Sequence, residues 1–337
     1  MSAYFDNSSV SENSKKPSAH DICGRKIANS MEGKPEECLK TELSIQHVPG
    51  DVYIVTYPKT GTTVLQYMCH LLRTNCSGDE FEDIHQVCPH TSSAWFIGQD
   101  LNAPQTALPR LFKSHRELQQ VAPFSNGIKY ISTIRDPTQT LISIWNFRKE
   151  RGTNVCDESL IDFARSRRWM ESNNDGSVTN LFENLTTYWK CRTADNFLLL
   201  PFEDFVSNRE DWLPIIAKFL DVPCTPELVK KVSAMTSKEA MLLNCSKFDE
   251  SWCKSQRELL KRPHPKILRD SSKVTKGHGE MAKSVMDNCD IHEIQSKLWY
   301  EKVEKVTGIK SYEEMRYKLN QFHFPHLYET RHDEKVI

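Results

Sequence analysis

No run of about eighteen or more apolar residues interrupts this chain, which excludes a hydropathy-type membrane helix. The opening MSAYFDNSSVSENSKKPSAH has no apolar core of the kind a secretory signal needs, so a cytoplasmic address and no membrane partner are the expectations. Net charge is missing too. Lys and Arg total 44 against 45 Asp and Glu, which gives no global reason to expect nucleic acid, so any anion site must be local. The 11 cysteines are scattered and contain no C-x-x-C pair; neither a disulfide framework nor a zinc site is signalled, and reduced, partly buried thiols are expected. No carboxylate cluster suggests a metal, and none is expected.

What is present is an ordinary apolar content of 38% over 337 residues with mean hydropathy −0.56. That length accommodates one large core or two small ones, and the pattern favours one domain. Residues 1–42 are polar and lack apolar period, reading as a disordered or loosely attached tail. A domain over 43–320 follows, with a charged, breaker-rich stretch near 240–280 that reads as a lid, and 321–337 as a C-terminal tail.

Within the domain, strand-like and helix-like segments alternate. DVYIVTY, RLFKSH, IKYISTIRDP and NFLLLPFEDF are β-branched or apolar runs, the third ended by Pro137. TTVLQYMCHLLR, TQTLISIWNFRKE, TNLFENLTTYWKCR and REDWLPIIAKFLDV carry helical spacing. Helices between strands predict an α/β fold: a single domain with a central, mainly parallel sheet covered on both faces.

YPKTGTT (57–63) joins the first strand to the first long helix. Gly61 permits a bend, the following helix start offers free N–H groups, Lys59 adds charge, and Thr60, Thr62 and Thr63 add hydroxyls: a nest for a phosphate. The triphosphate loop G-x-x-x-x-G-K-[ST] has two glycines and a lysine after the second. Here there is one glycine, and the lysine precedes it. An ordinary strand-to-helix turn is the alternative.

TYPKTGTT resembles the 5′-phosphosulfate loop of the cytosolic sulfotransferases, which use 3′-phosphoadenosine 5′-phosphosulfate as co-substrate. PRLFKSH resembles the strand ending in that family's catalytic Lys-Thr-His. ISTIRDPTQTLISIWNF is similar to its 3′-phosphate segment, and LLLPFEDF and KVTKGHGE to two further motifs; together these span about residues 45–310. The resemblance implies a P-loop nucleotide-binding-like sulfotransferase fold and donor binding by Lys59, Thr60, Gly61, Thr62 and Thr63 at the 5′ end. It places Arg135 and Ser143 at the 3′-phosphate, and Val64, Phe202, Thr236, Lys276 and Gly277 around the rest of the donor. It further implies sulfuryl transfer without a metal, with His115 as base, Lys59 and Lys113 on the developing charge, and Lys113, His115, Trp145 and Phe147 facing a small, largely apolar hydroxyl acceptor. Core packing is the alternative for each aromatic.

The chain also departs from the family pattern. Val64 stands where a tryptophan is usual, Phe202 replaces a tyrosine, and Thr275 replaces an arginine, with Lys273 nearby as a substitute charge. KSVMDNC keeps only Ser284-Val285 of the family's dimer pattern, which leaves homodimer formation open. A donor-binding protein with little turnover and a small-molecule kinase are the competing readings.

Overall fold

A computed structural model describes residues 18–23, 35–121, 127–152, 158–166, 180–263, 273–274, 285 and 287–327. Four strands form one parallel sheet in the order β2-β1-β3-β4: β1 Val52–Val55, β2 Leu111–Ser114, β3 Lys129–Ile134 and β4 Phe197–Pro201. The strands are almost wholly buried, and β1 reads Val-Tyr-Ile-Val without alternation, as a strand covered on both faces must.

The helices, in chain order, are α1 Ala19–Cys23, α2 Glu36–Leu43, α3 Thr62–Arg73, α4 Ile84–Val87, α5 Pro137–Glu150, α6 Leu160–Arg165 and α7 Leu181–Cys191. Then come α8 Phe202–Ser207, α9 Arg209–Leu220, α10 Pro226–Met235, α11 Lys238–Leu243, α12 Ser251–Leu259, α13 Cys289–Trp299 and α14 Tyr312–His323. Two apolar layers flank the sheet. One joins Tyr53, Val55, Phe112 and Tyr130 to α5, α7, α13 and α14; the other joins Val52, Ile54 and Ile131 to α3 and α9. Each fully buried large apolar side chain contributes about 1.5–3 kcal/mol. None of the described helices is long and apolar enough to cross a membrane.

Several segments differ from the sequence expectation. FEDF forms the first turn and more of α8 rather than extending β4, because Pro201 has no N–H to continue a ladder. Pro137 both follows β3 and occupies the first turn of α5, capped by the Asp136 side chain, which accepts from Gln139 N at 2.8 Å. Residues 1–42 include two helices that are attached to the domain. Ala19 is fully buried and its N–H donates to Asn196, while Glu42 accepts from Arg116 Nε at 2.7 Å and from Thr91 Oγ1 at 2.5 Å. The stretch read as a lid contains α11 and α12 within its described part. At the other end, His323 and Phe324 pack on Trp212 beyond the expected boundary at 320. No disulfide joins cysteines among the described residues.

Candidate active site

All four strands run the same way, so their carboxyl ends share one edge, where open α/β sheets bind ligands. There β1 leads into the 56–61 loop, β2 into His115, β3 into Arg135 and β4 into Phe202. The chain leaves β1 for β2 on one side and returns for β3 on the other, which makes the end of β1 the switch point.

The loop is shaped by its own side chains. Thr60 Oγ1 donates to the Tyr57 carbonyl at 2.7 Å, so its contact with Thr133 Oγ1 at 2.8 Å must be one in which Thr133 donates. Thr62 Oγ1 meets Thr56 Oγ1 at 2.6 Å. The expectation that Thr60 offers its hydroxyl proton to a ligand is therefore corrected: that proton holds the turn. Thr63 is half-buried, and its hydroxyl has no partner among the described residues.

Gly61 has φ 101°, a left-handed conformation, and a Cβ there would lie 2.4 Å from Phe202 Cδ2; both facts require glycine. Gly61 is also the N-cap of α3, and no side chain caps that helix. Its first-turn N–H groups are left for something else, whereas α5 is capped by Asp136, which accepts from Gln139 N.

Three cations stand at this edge of the sheet. Burial, then the charges of Arg135 and Arg151, lower the pKa of Lys59 from 10.5 to about 7. Its Nζ rests 4.2 Å from the centre of the Phe147 ring, on which Arg151 also lies at 4.2 Å. Lys113 is likewise lowered to about 7 by burial and then by Lys273. Neither lysine makes an ion pair among the described residues. Arg135 donates to the Lys59 carbonyl at 2.7 Å and stacks on Phe202 at 4.5 Å, with its Nε buried and unpartnered. Ser143, on α5, is 4% exposed, and its hydroxyl has no partner among the described residues.

His115 Nδ1 is 2.8 Å from the Thr56 carbonyl oxygen. A carbonyl only accepts, so Nδ1 holds the proton and Nε2 holds the lone pair. Burial, then the charge of Lys113, keeps the imidazole pKa well below 6.5, hence neutral at cellular pH. His90 packs edge-on against it at 5.4 Å, beside Lys113, whose N–H donates to the Pro89 carbonyl.

The other sequence-derived site residues divide. Phe147 reaches the phosphate loop through Lys59, and Phe202 fills the space over Gly61. Trp145 is 5% exposed, joins the core, and donates its indole N–H to the Glu158 carbonyl. Thr236 caps α10, its hydroxyl donating to the Val232 carbonyl. Val64 is half-buried against the α3 layer. Lys276 and Gly277 lie outside the described residues.

Sequence reading missed a carboxylate at this edge. Glu250 pairs with Arg151 at 2.8 Å and Lys273 at 3.0 Å. Burial alone would raise its pKa, but these cations outweigh burial and hold it well below 4.5. Its left-handed φ of 69° is a conformation that no pattern of residue types announces.

The arrangement thus combines an uncapped helix start, cations without carboxylate partners and a neutral imidazole. Residues 49–316 match the model of the sulfotransferase domain. The chain belongs to the sulfotransferase domain family. Among its relatives, human Sulfotransferase 4A1 is 25% identical over 252 residues, covering 72% of this chain and 82% of the relative. Rat Sulfotransferase 2B1 is 28% identical over 203 residues, covering 58% and 56%. In fold, this sulfotransferase is similar to retinol dehydratase in complex with androsterone and the inactive cofactor PAP, with TM-score 0.60 and 16% identity over 80% of this chain and 86% of that one. Mouse sulfotransferase SULT7A1 complexed with PAP gives TM-score 0.59 at 16% identity, covering 88% and 95%.

Proposed function

We propose that this sulfotransferase moves the sulfuryl group of 3′-phosphoadenosine 5′-phosphosulfate to the hydroxyl of a small, largely apolar acceptor, with His115 as the base. The observation that carries this reading is the bond from His115 Nδ1 to the Thr56 carbonyl, which aims a basic Nε2 away from the strand while the neighbouring lysines await an anion.

The acceptor proton passes to Nε2 as the acceptor oxygen attacks sulfur in line with the leaving group. A new S–O bond forms, the bridging S–O bond breaks, and the electron pair leaves on the 5′-phosphate. Lys59 meets the charge on the bridging oxygen, and Lys113 that on the transferring sulfonate. The N–H groups of Thr62 and Thr63 hold the 5′-phosphate at the start of α3. Arg135 and Ser143 take the 3′-phosphate; the unpartnered Nε of Arg135 supports that role. Phe202, Val64 and Thr236 border the nucleoside, with Lys276 and Gly277 as further contacts implied by family resemblance. Phe147 lies between the loop lysine and the acceptor, and Trp145 stabilises the helix that carries it. The protein works in the cytoplasm, on a small-molecule partner.

The test is label transfer. Purified protein with sulfur-labelled donor and a panel of alcohols and phenols, beginning with androsterone and retinol, is expected to yield labelled product. His115→Ala is expected to lose about 10²–10⁴ of the rate while still binding PAP. Donor binding with no transfer to any acceptor would replace this reading with that of a donor-binding protein, and binding of ATP with magnesium alone would replace it with a kinase.

A further inference from the structure

Asp83 and His85, at the α4 turn, meet Cys253 of α12, 168 residues apart in sequence at the His85–Cys253 contact. One atom of each lies within 4.8 Å of the others, and all three residues are buried. His85 Nδ1 is 2.6 Å from Asp83 Oδ1 and 3.4 Å from Cys253 Sγ. In a nucleophile–imidazole–carboxylate triad the thiol and the carboxylate occupy opposite ring nitrogens. Here both address the same nitrogen, which has a single proton or lone pair to offer. The three donors therefore converge on a point rather than forming a line.

A second observation concerns Asp83. Its Oδ1 already accepts from the His85 N–H and meets the His85 ring, but Oδ2 is buried with no partner. A buried carboxylate oxygen left bare is costly and calls for an unseen partner.

We propose that Asp83, His85 and Cys253 bind one Zn²⁺ ion, which fastens α12 to the α4 turn. Carboxylate, imidazole and thiolate together suit a borderline-soft ion and not calcium or magnesium. Around a tetrahedral Zn²⁺ with bonds of about 2.0–2.3 Å, such ligands stand roughly 3–4 Å apart, so the two pairs at His85, at 2.6 and 3.4 Å, need to shift by about 1 Å or less. Water takes the fourth position. The imidazole of His85 binds in its neutral form. Cys253 binds as the thiolate, so binding the ion releases the thiol proton to solvent. The repulsion from Lys273 is offset by its pairing with Glu250. The ion takes no part in sulfuryl transfer. It anchors the helix that follows Glu250 against the segment leading to His90 and His115.

The test starts from protein stripped with chelator and dialysed. Titration with Zn²⁺ against a chromophoric chelator is expected to show one equivalent bound, and Co²⁺ to give a thiolate charge-transfer band. Cys253→Ser is expected to lose that band and about tenfold or more in affinity. Its fold is checked by circular dichroism and PAP binding. His85→Ala is expected to behave likewise, and Zn²⁺ is expected to raise the melting temperature of the wild type but not of Cys253→Ser. Absence of stoichiometric binding, or a Co²⁺ spectrum unchanged in Cys253→Ser, would overturn the proposal.

Discussion

The two ends of the sheet treat positive charge in opposite ways. At the amino ends of the strands, Arg110 forks onto Asp51 with bonds of 2.8 and 2.6 Å, and Lys129 pairs with Asp221. At the carboxyl ends, Lys59 and Lys113 are enclosed without an ion pair among the described residues, and Arg135 donates to the Lys59 carbonyl instead of a carboxylate. Burying a cation without its counter-charge costs stability. At the carboxyl edge Glu250 neutralises Arg151 and Lys273 but leaves Lys59 and Lys113 without a counter-charge among the described residues. The amino edge holds the sheet together, and the carboxyl edge is held open for an anion supplied by the ligand.

This contrast can be broken from either side. The largest effect on stability is expected from Asp51→Asn, which leaves the Arg110 guanidinium enclosed and unpaired. Chemical denaturation should show a loss of about 3–5 kcal/mol, with PAP affinity unchanged in the protein that remains folded. Lys59→Met should do the reverse. Donor affinity measured by calorimetry should fall about tenfold or more, equivalent to roughly 1.4 kcal/mol or more, while the melting temperature stays level or rises.

A further effect should appear with pH. Because the folded pKa values of Lys59 and Lys113 lie near 7 against 10.5 for the free side chain, the unfolded chain binds more protons between those values. Stability of the ligand-free protein from these two groups should therefore rise as pH goes from about 7 towards 10.5. Their penalty is fully present below about 7. Saturating PAP should flatten or reverse the trend, since an anion favours the charged lysines. Denaturant midpoints at several pH values, with and without PAP, measure it.

The same contrast explains what the sequence disclosed. The carboxyl edge was legible because its parts are contiguous: a strand, a turn with Gly61 and a helix start follow one another, and Arg135 and His115 each end a recognisable strand. Chemistry and local pattern coincide there. Pairings made by the fold were not legible. Nothing near Glu250 marks it as the partner of Arg151, and Glu42 sits in a polar stretch that reads as tail until Arg116 is placed beside it. Asp83 and His85 stand two residues apart, but Cys253 lies 168 residues further on, so no compact ligand motif brings the three together in the chain. Thr60 shows the opposite limit, since its presence was visible but the direction of its hydroxyl was set by Tyr57 and Thr133.

Proton uptake on ligand binding tests the central claim most directly. Calorimetric titration of the protein with PAP near pH 8, in buffers of different ionisation enthalpy, should reveal net uptake of protons as the anion restores charge to Lys59 and Lys113, and that uptake should diminish in Lys59→Met. Binding of PAP with no proton uptake in any buffer would contradict the account, because the carboxyl-edge lysines would then already carry their full charge without the ligand.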